Sequence, residues 1–231
     1  MRSLWIKIRD IYKRDGFGGL WERAITFPGR RHFLGLRWEA RYYIEHALVE
    51  RNEQDFLSKI LDITFYLVRS NQEADELETQ GYEFRSYQEK ARRCLESGSI
   101  AFCFFVGHEL AHIGWVSLTT QSKPCIDDWI EVDFANRESC TGATITIPEF
   151  RGKGLMTYGY YKRLEYLKQM GSVRTRASVG TKNIASLRTH AKFDPRIYAR
   201  ARYMKVLWWE SWEVKPILPP ISPAIVLANR H

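Results

Sequence analysis

The stretch Ala143-Thr144-Ile145-Thr146-Ile147-Pro148-Glu149-Phe150-Arg151-Gly152-Lys153-Gly154-Leu155-Met156 decides how this chain is read. A β-branched run at 143–147 predicts a strand. A turn containing two glycines follows, and it leads directly into an amphipathic helix expected over Gly154 to Met170. Such a turn leaves backbone N–H groups without partners at a helix N-terminus, all pointing at one spot. Glycine permits positive φ and close approach of the backbone, and the helix dipole adds about 0.3–1 kcal/mol of attraction for an anion. Together these features can cradle a pyrophosphate. The spacing is neither that of a Walker loop nor that of the G-x-G-x-x-G dinucleotide fingerprint, so ordinary nucleotide-triphosphatase and dinucleotide readings are set aside.

Working outward, Ile63 to Val68 is β-branched and aromatic and predicts a strand, and an acidic helix from Gln72 to Thr79 follows a Ser70 or Asn71 cap. A helix is expected over Tyr87 to Leu95, ending at Gly98. Ile100 to Val106, the Gly107-His108-Glu109 turn and Leu110 to Leu118 read as a β-hairpin. Strands are expected around Ile130 to Phe134 and over Val173 to Val179, a helix over Asn183 to Lys192, and a last strand near Tyr203 to Trp209. Upstream, Leu4, Trp5, Ile8, Ile11 and Tyr12 form one face of a short basic helix, and a second helix is expected from about Arg37 to Arg51. Pro216 to Pro223 is expected to be a tail, packed on the surface or loose. This order predicts an α+β fold: a mixed, mostly antiparallel central sheet flanked by helices, with an N-terminal helical extension. The expected boundaries are 1–58 for the extension, 59–215 for the central domain and 216–231 for the tail.

Composition and charge narrow the function classes. Of 231 residues, 45% are hydrophobic and 27% charged, which excludes a disordered chain. The longest apolar run, Ile100 to Val106, is too short to span a bilayer. The N-terminus lacks the features of a secretory signal and the four cysteines show no C-x-x-C pairing, so a cytoplasmic address with reduced thiols is expected. The formal net charge of +8 is unevenly spread. Residues 1–45 hold 10 basic and 5 acidic side chains, residues 46–150 hold 9 and 18, and residues 151–231 hold 16 and 4. The basic excess thus begins at the Arg151 turn, and an acidic segment precedes it.

Arg151-Gly152-Lys153-Gly154-Leu155-Met156 resembles the R/Q-x-x-G-x-G/A signature of the GNAT acyltransferases, with Met156 in place of the small residue. Asn183-Ile184-Ala185-Ser186 followed by Lys192-Phe193 is similar to that family's N-x-x-A/S…K-x-G-F segment, with Phe193-Asp194-Pro195 where Gly-Phe is expected. The resemblance covers about residues 61–213. It implies transfer of an acyl group from acyl-CoA, usually acetyl-CoA, to an amine, without a metal. The backbone at Ile145, Thr146 and Ile147 would hold the pantetheine, and Arg151, Gly152, Lys153, Gly154, Leu155 and Met156 would cradle the pyrophosphate. Asn183 and Ser186 would contact the pantetheine arm. The family often uses a tyrosine seven residues after the asparagine as the acid for the departing thiolate; His190 stands there. The acidic segment 127–133 supplies Asp127, Asp128, Glu131 and Asp133. Glu131 and Asp133, sharing a face of the strand expected there, would serve as base or amine-binding carboxylates. The N-terminal extension is similar to those of bacterial surface-glycan enzymes, which implies an amino sugar or other small amine as acceptor. Its basic helix also suits peripheral contact with an anionic membrane.

Three other readings compete. His108-Glu109-Leu110-Ala111-His112 is a literal H-E-x-x-H, and Glu131 follows at the spacing of a gluzincin third ligand, so a zinc peptidase is one alternative. It needs a helix, whereas the flanks read as hairpin strands. A nucleic-acid-binding module would rest on the basic final third with Tyr158, Tyr160, Tyr161, Trp208 and Trp209 interleaved, although those aromatics lie on elements that need core residues. A catalytically idle CoA-binding domain is the remaining alternative.

Overall fold

A computed structural model describes residues 37–206 and 208–228 of the chain. The basic helix expected at residues 3–14 lies outside them. Among the described residues two compact units are present: 41–200 with 215–228, and 37–40 with 201–206 and 208–214. Among the described residues, eight strands form one sheet in the order β2-β3-β4-β5-β6-β1-β7-β8. These are β1 (Arg37–Ala47), β2 (Ile63–Val68), β3 (Ile100–Val106), β4 (Glu109–Ser117), β5 (Glu138–Thr146), β6 (Arg174–Gly180), β7 (Arg196–Val206) and β8 (Trp209–Ile221). The helices are α1 (Asn71–Thr79), α2 (Ala91–Glu96), α3 (Lys123–Ile126), α4 (Leu155–Gln169), α5 (Ile184–Ala191) and α6 (Pro223–Ala228). The fold is α+β. The pairs β2/β3, β3/β4, β4/β5 and β1/β6 are antiparallel, and β5/β6 is parallel.

Local chemistry explains most elements. Ser70 caps α1 by accepting from the Glu73 amide at 3.1 Å. The β3–β4 hairpin closes through Gly107 (φ +60°) and His108, leaving Val106 opposite Glu109. Helix α4 lays Leu155 and Leu167 on Phe102 and Phe104 of β3 and Ala111 and Val116 of β4.

Three expectations are corrected. The helix expected from Arg37 to Arg51 is strand β1, which pairs with β6 from Arg41–Gly180 to Ala47–Arg174. Consecutive Tyr43 and Ile44 are both buried because this strand is covered on two faces, so its period of two is masked in the sequence. Residues 41–58 accordingly lie in the larger unit. The strand expected at Ile130 to Phe134 is irregular chain ending in a 3-10 turn over Phe134–Asn136, capped by Asp133. The helix expected over Tyr87 to Leu95 is broken into a 3-10 turn, Arg85–Tyr87, and α2. The proline-rich segment Pro216 to Pro223, expected as a tail after a last strand near Tyr203 to Trp209, is a further correction: it holds the end of strand β8 and the first residue of α6, and β7 ends at Val206 before β8 begins at Trp209. Ile217, Ile221, Val226 and Leu227 cover Ile44, Val179, Leu187 and Ile197. Strand β8 tolerates Pro216, Pro219 and Pro220 because it is the edge strand of the sheet.

In the smaller unit, Arg37 pairs with Glu39 (2.6 Å) and its guanidinium lies 5.5 Å from the centre of the Tyr203 ring. Lys205 pairs with Glu210 and Tyr203 meets Trp212, while Trp38, Trp208, Trp209 and Trp212 are exposed. No described helix is long and apolar enough to cross a membrane.

Candidate functional site

Strands β5 and β6 are hydrogen-bonded neighbours for only three residue pairs, Glu138–Arg174, Ser139–Thr175 and Cys140–Arg176. Beyond Cys140, β5 continues against β4 alone, while β6 continues against β1 to Gly180, so the two parallel strands part. In the parting segment Ala143 adopts φ +45° beside a register shift between Ile113 and Trp115 of β4. A left-handed alanine inside a strand is strained and persists only when its surroundings hold it. Gln88 does so: its Nε2 donates to the Ala143 carbonyl at 2.8 Å, and its Oε1 accepts from the Trp115 indole. Gln88→Leu removes both bonds at nearly constant volume. It is expected to lower unfolding free energy by about 1–3 kcal/mol in urea titrations, the cost of leaving buried partners unmet.

The expected pantetheine-binding backbone is divided between the two sides of β5. The Ile147 amide is already bonded to the Ala111 carbonyl of β4 (3.0 Å), and Ile145 lies opposite Ile113. By strand alternation Thr146 presents its amide and carbonyl to the open side, where the carbonyl accepts from Arg151 Nε at 3.0 Å. Its hydroxyl meets His112 Nδ1 at 2.8 Å.

The glycine turn is formed as its residues predict. Gly152 (φ +74°) and Gly154 (φ +87°) are left-handed, and Gly154 is the N-cap of α4. The Lys153 carbonyl is held by the Lys59 amide (2.9 Å) and the Ser58 hydroxyl (3.0 Å). In a trans peptide this aims the Gly154 N–H the opposite way. Among the described residues, the amides of Gly152, Lys153, Gly154, Leu155, Met156 and Thr157 meet no acceptor. Arg151 and Lys153 are exposed beside them, so positive charge and unpaired donors coincide.

Asn183 and Ser186 are together, in a capping role. Asn183 Oδ1 accepts from the Ser186 amide at 3.1 Å and starts α5. At the site expected to hold glycine, Asp194 takes φ +47°, a conformation aspartate tolerates better than most residues.

His190 and the two carboxylates require correction. His190 is buried, with its Nδ1 2.9 Å from Nε2 of buried His46, and burial followed by the nearby Arg163 charge pushes its pKa down to about 3. It is a neutral core imidazole, not an imidazolium acid. Glu131 and Asp133 share no strand face. Both are exposed, and Asp133 accepts from the Asn136 side chain (2.6 Å) and amide (3.2 Å), bonds that lower its pKa. The acidic segment instead delivers Asp127. Its buried carboxylate accepts from the Trp129 amide (2.9 Å) and from the Ser178 amide (2.8 Å), in the part of β6 that has left β5. Beside it the Tyr43 hydroxyl is buried and meets no partner among the described residues, its pKa raised to about 12 by burial and by Asp127.

The H-E-x-x-H residues are not gathered. His108 lies in the hairpin turn stacked on Tyr82 (4.6 Å), His112 is buried in β4, and Glu109 and Glu131 are exposed. Among the described residues no group of three or more metal-binding side chains is assembled. Tyr160 and Tyr161 are buried, as core residues rather than stacking platforms.

Sequence reasoning missed Arg163. It is 1% exposed, on the face of α4 that carries Tyr160, Leu164 and Leu167. A charged residue in an apolar helical stripe was the available signal.

Three buried histidines, His46, His112 and His190, have depressed pKa values, each chiefly through burial. The unfolded chain therefore binds more protons than the folded one below about pH 6.5. Stability is fully present above that pH and falls as acid is added, by about 1.4 kcal/mol for each such histidine between pH 7.5 and 5.5. Guanidinium titrations at the two pH values measure this, and a pH-independent midpoint overturns it.

No family model and no curated protein matches the chain. It is similar to solved structures of low sequence identity. One is a GCN5-related glucosamine N-acetyltransferase region of a fungal multi-domain β-N-acetylglucosaminidase, with TM-score 0.49 and 15% identity over 83% of this chain and 23% of that one. Another is an acetyltransferase from the GNAT family of Colwellia psychrerythraea, with TM-score 0.46 and 12% identity over 74% of this chain and 57% of that one. A third is a GCN5-related N-acetyltransferase-like protein of Streptococcus suis, with TM-score 0.45 and 12% identity over 87% of this chain and 69% of that one. The chain thus spans less than two thirds of the length of the first two. The solved structures it is similar to are mostly GCN5-related N-acetyltransferases.

Proposed function

We propose that this protein transfers an acyl group from acyl-CoA, with acetyl-CoA the simplest donor, to an amine. The observation that carries this reading is the set of six amides from Gly152 to Thr157 that meet no acceptor among the described residues, in the turn after β5, which parts from its parallel neighbour β6 beyond Cys140. Phosphate oxygens satisfy such an array, and the parted strands offer an extended arm a main-chain partner in Thr146. The sequence resemblance at Arg151–Met156 points the same way.

In this reading the amine nitrogen attacks the thioester carbonyl, the carbon–sulfur bond breaks, and the thiolate leaves with a proton that the ammonium loses. Positioning does most of the work. Asp127, anchored to β6, supplies negative charge for a cationic acceptor. His190 is a neutral imidazole and a weak acid at neutral pH; the Tyr43 hydroxyl, which burial and Asp127 keep protonated, passes its proton to the thiolate and regains the one that the ammonium loses. The acceptor is a small amine, with an amino sugar as one class. Calorimetric titration with CoA, then a transfer assay with acetyl-CoA and a panel of amines, tests the proposal. Saturable binding at one site with amine-dependent release of thiol upholds it. Absence of CoA binding sinks it.

A second role, contact with an anionic membrane through the basic N-terminal segment, stays a separate proposal resting on sequence alone. Deleting residues 1–30 and measuring sedimentation with anionic vesicles tests it.

A further inference from the structure

Arg163 is a buried cation that meets no carboxylate among the described residues. Its Nε donates to the Gly159 carbonyl (3.1 Å), and its Nη1 donates to the hydroxyls of Thr141 and Thr144, each at 3.0 Å. No carboxylate is among the groups that perturb it; the one charge partner is the Tyr160 phenol, whose ring centre lies 4.9 Å from the guanidinium carbon. Its Nη2 is buried and meets no acceptor among the described residues. The same holds for Tyr160 Oη, His46 Nδ1 and His112 Nε2. These residues are neighbours in the core: the His46 and Tyr160 rings are 5.0 Å apart, and Arg163 perturbs both His46 and His112.

The backbone makes room for this cluster. A Cβ on Gly114 would come within 2.7 Å of the guanidinium, and one on Gly159 within 2.6 Å of His112 Nε2. A full positive charge in so dry a place is costly unless an anion meets it. Thr141 and Thr144 also place it: both lie on β5 just past Cys140, the last residue paired with β6, so the guanidinium is tethered to the strand segment that lines the opening.

We propose that Arg163 and Tyr160 form a carboxylate-binding pocket at the inner end of the opening between β5 and β6. One monoanion balances one guanidinium, with Nη2 and the Tyr160 hydroxyl as donors to its two oxygens. The inference rests on the acyl-transfer reading for what brings the carboxylate there. That carboxylate belongs either to the acyl chain of the donor or to the acceptor amine.

Two arms separate these sources. Succinyl-CoA is compared with butyryl-CoA as donor, and glycine with glycinamide as acceptor of acetyl-CoA. One arm is expected to favour the carboxylate-bearing member at least tenfold in kcat/KM, and Arg163→Met is expected to erase that preference. Equal use of both members in both arms, or a preference that survives Arg163→Met, overturns the pocket. Affinity for CoA itself reports the phosphate cradle independently, so failure of the acyl-transfer reading is seen as such. If CoA does not bind, calorimetry with succinate against succinamide decides. Selective binding of succinate that Arg163→Met abolishes upholds the pocket, and no discrimination overturns it. Should Arg163→Met not fold, the acid-against-amide comparison on the wild-type chain settles the matter alone.

Discussion

Gly154→Asp abolishes measurable CoA binding, a loss of at least about 100-fold in Kd, while Gly154→Asn keeps most of the affinity. Both substitutions place a side chain at φ +87°, and a Cβ there approaches Ser58 Cα at 3.4 Å and the Leu57 carbonyl at 3.5 Å, which is ordinary contact. Aspartate and asparagine tolerate the left-handed region similarly, so each costs about 1 kcal/mol of stability. They differ in charge alone. A carboxylate about 4 Å from a phosphate, at an effective dielectric near 20, is disfavoured by about 4 kcal/mol per charge pair, and half of that already exceeds a 30-fold loss. Calorimetry on the two variants reads this directly. Equal losses would show that the turn tolerates no side chain, and intact binding by the aspartate variant would place the phosphates elsewhere.

The second large effect concerns stability. Gly114→Ala is expected to cost about 2–3 kcal/mol, because its Cβ would lie 2.7 Å from the Arg163 guanidinium, whose hydrogen bonds to Thr141, Thr144 and Gly159 keep it from moving aside. Arg163→Met by itself is expected to be neutral or stabilising. It removes a charge that no carboxylate balances, and the two threonine hydroxyls keep their bonds to the carbonyls of Trp115 (3.0 Å) and Gly142 (3.3 Å). Combining the substitutions should recover at least half of the Gly114→Ala cost, since the clash partner is gone. Urea titrations of the four proteins complete the cycle. Additive effects would mean that the crowding at Gly114 does not involve Arg163. A stable Arg163→Met protein would also show that the guanidinium is retained at the expense of folding, as a residue kept for a ligand would be.

Legibility in the sequence followed the range of the interactions. The β2 strand, the Ser70-capped helix, the β3–β4 hairpin and the glycine turn before α4 were readable because each is specified by neighbours a few residues apart. The same local logic exposed H-E-x-x-H as a hairpin rather than a helix. Readings that needed a partner distant in sequence were the ones that changed. Strand β1 is specified by pairing with β6 more than 100 residues away, and its two buried faces hide its period. Glu131 and Asp133 lost their shared face because the segment 130–134 finds no strand partner, while Asp127 gained its position from the Ser178 amide of β6. His190 had the spacing of an acid, but spacing carries no information about dielectric, and burial against His46 sets its protonation state.

The sequence by itself determined the α+β class, the elements from β2 through the β3–β4 hairpin and the anion-ready turn at residues 151–156, because propensity, periodicity and glycine stereochemistry act over one or two turns of chain. Only the tertiary structure decided which groups meet. The contacts of Asp127 with Ser178 of β6, of Arg163 with Thr141 and Thr144 of β5, and of His46 with His190 depend on strand register and on the space left by Gly114 and Gly159. Their charge states follow from how much water that packing removes, a property of the assembled core that no local run of residues encodes.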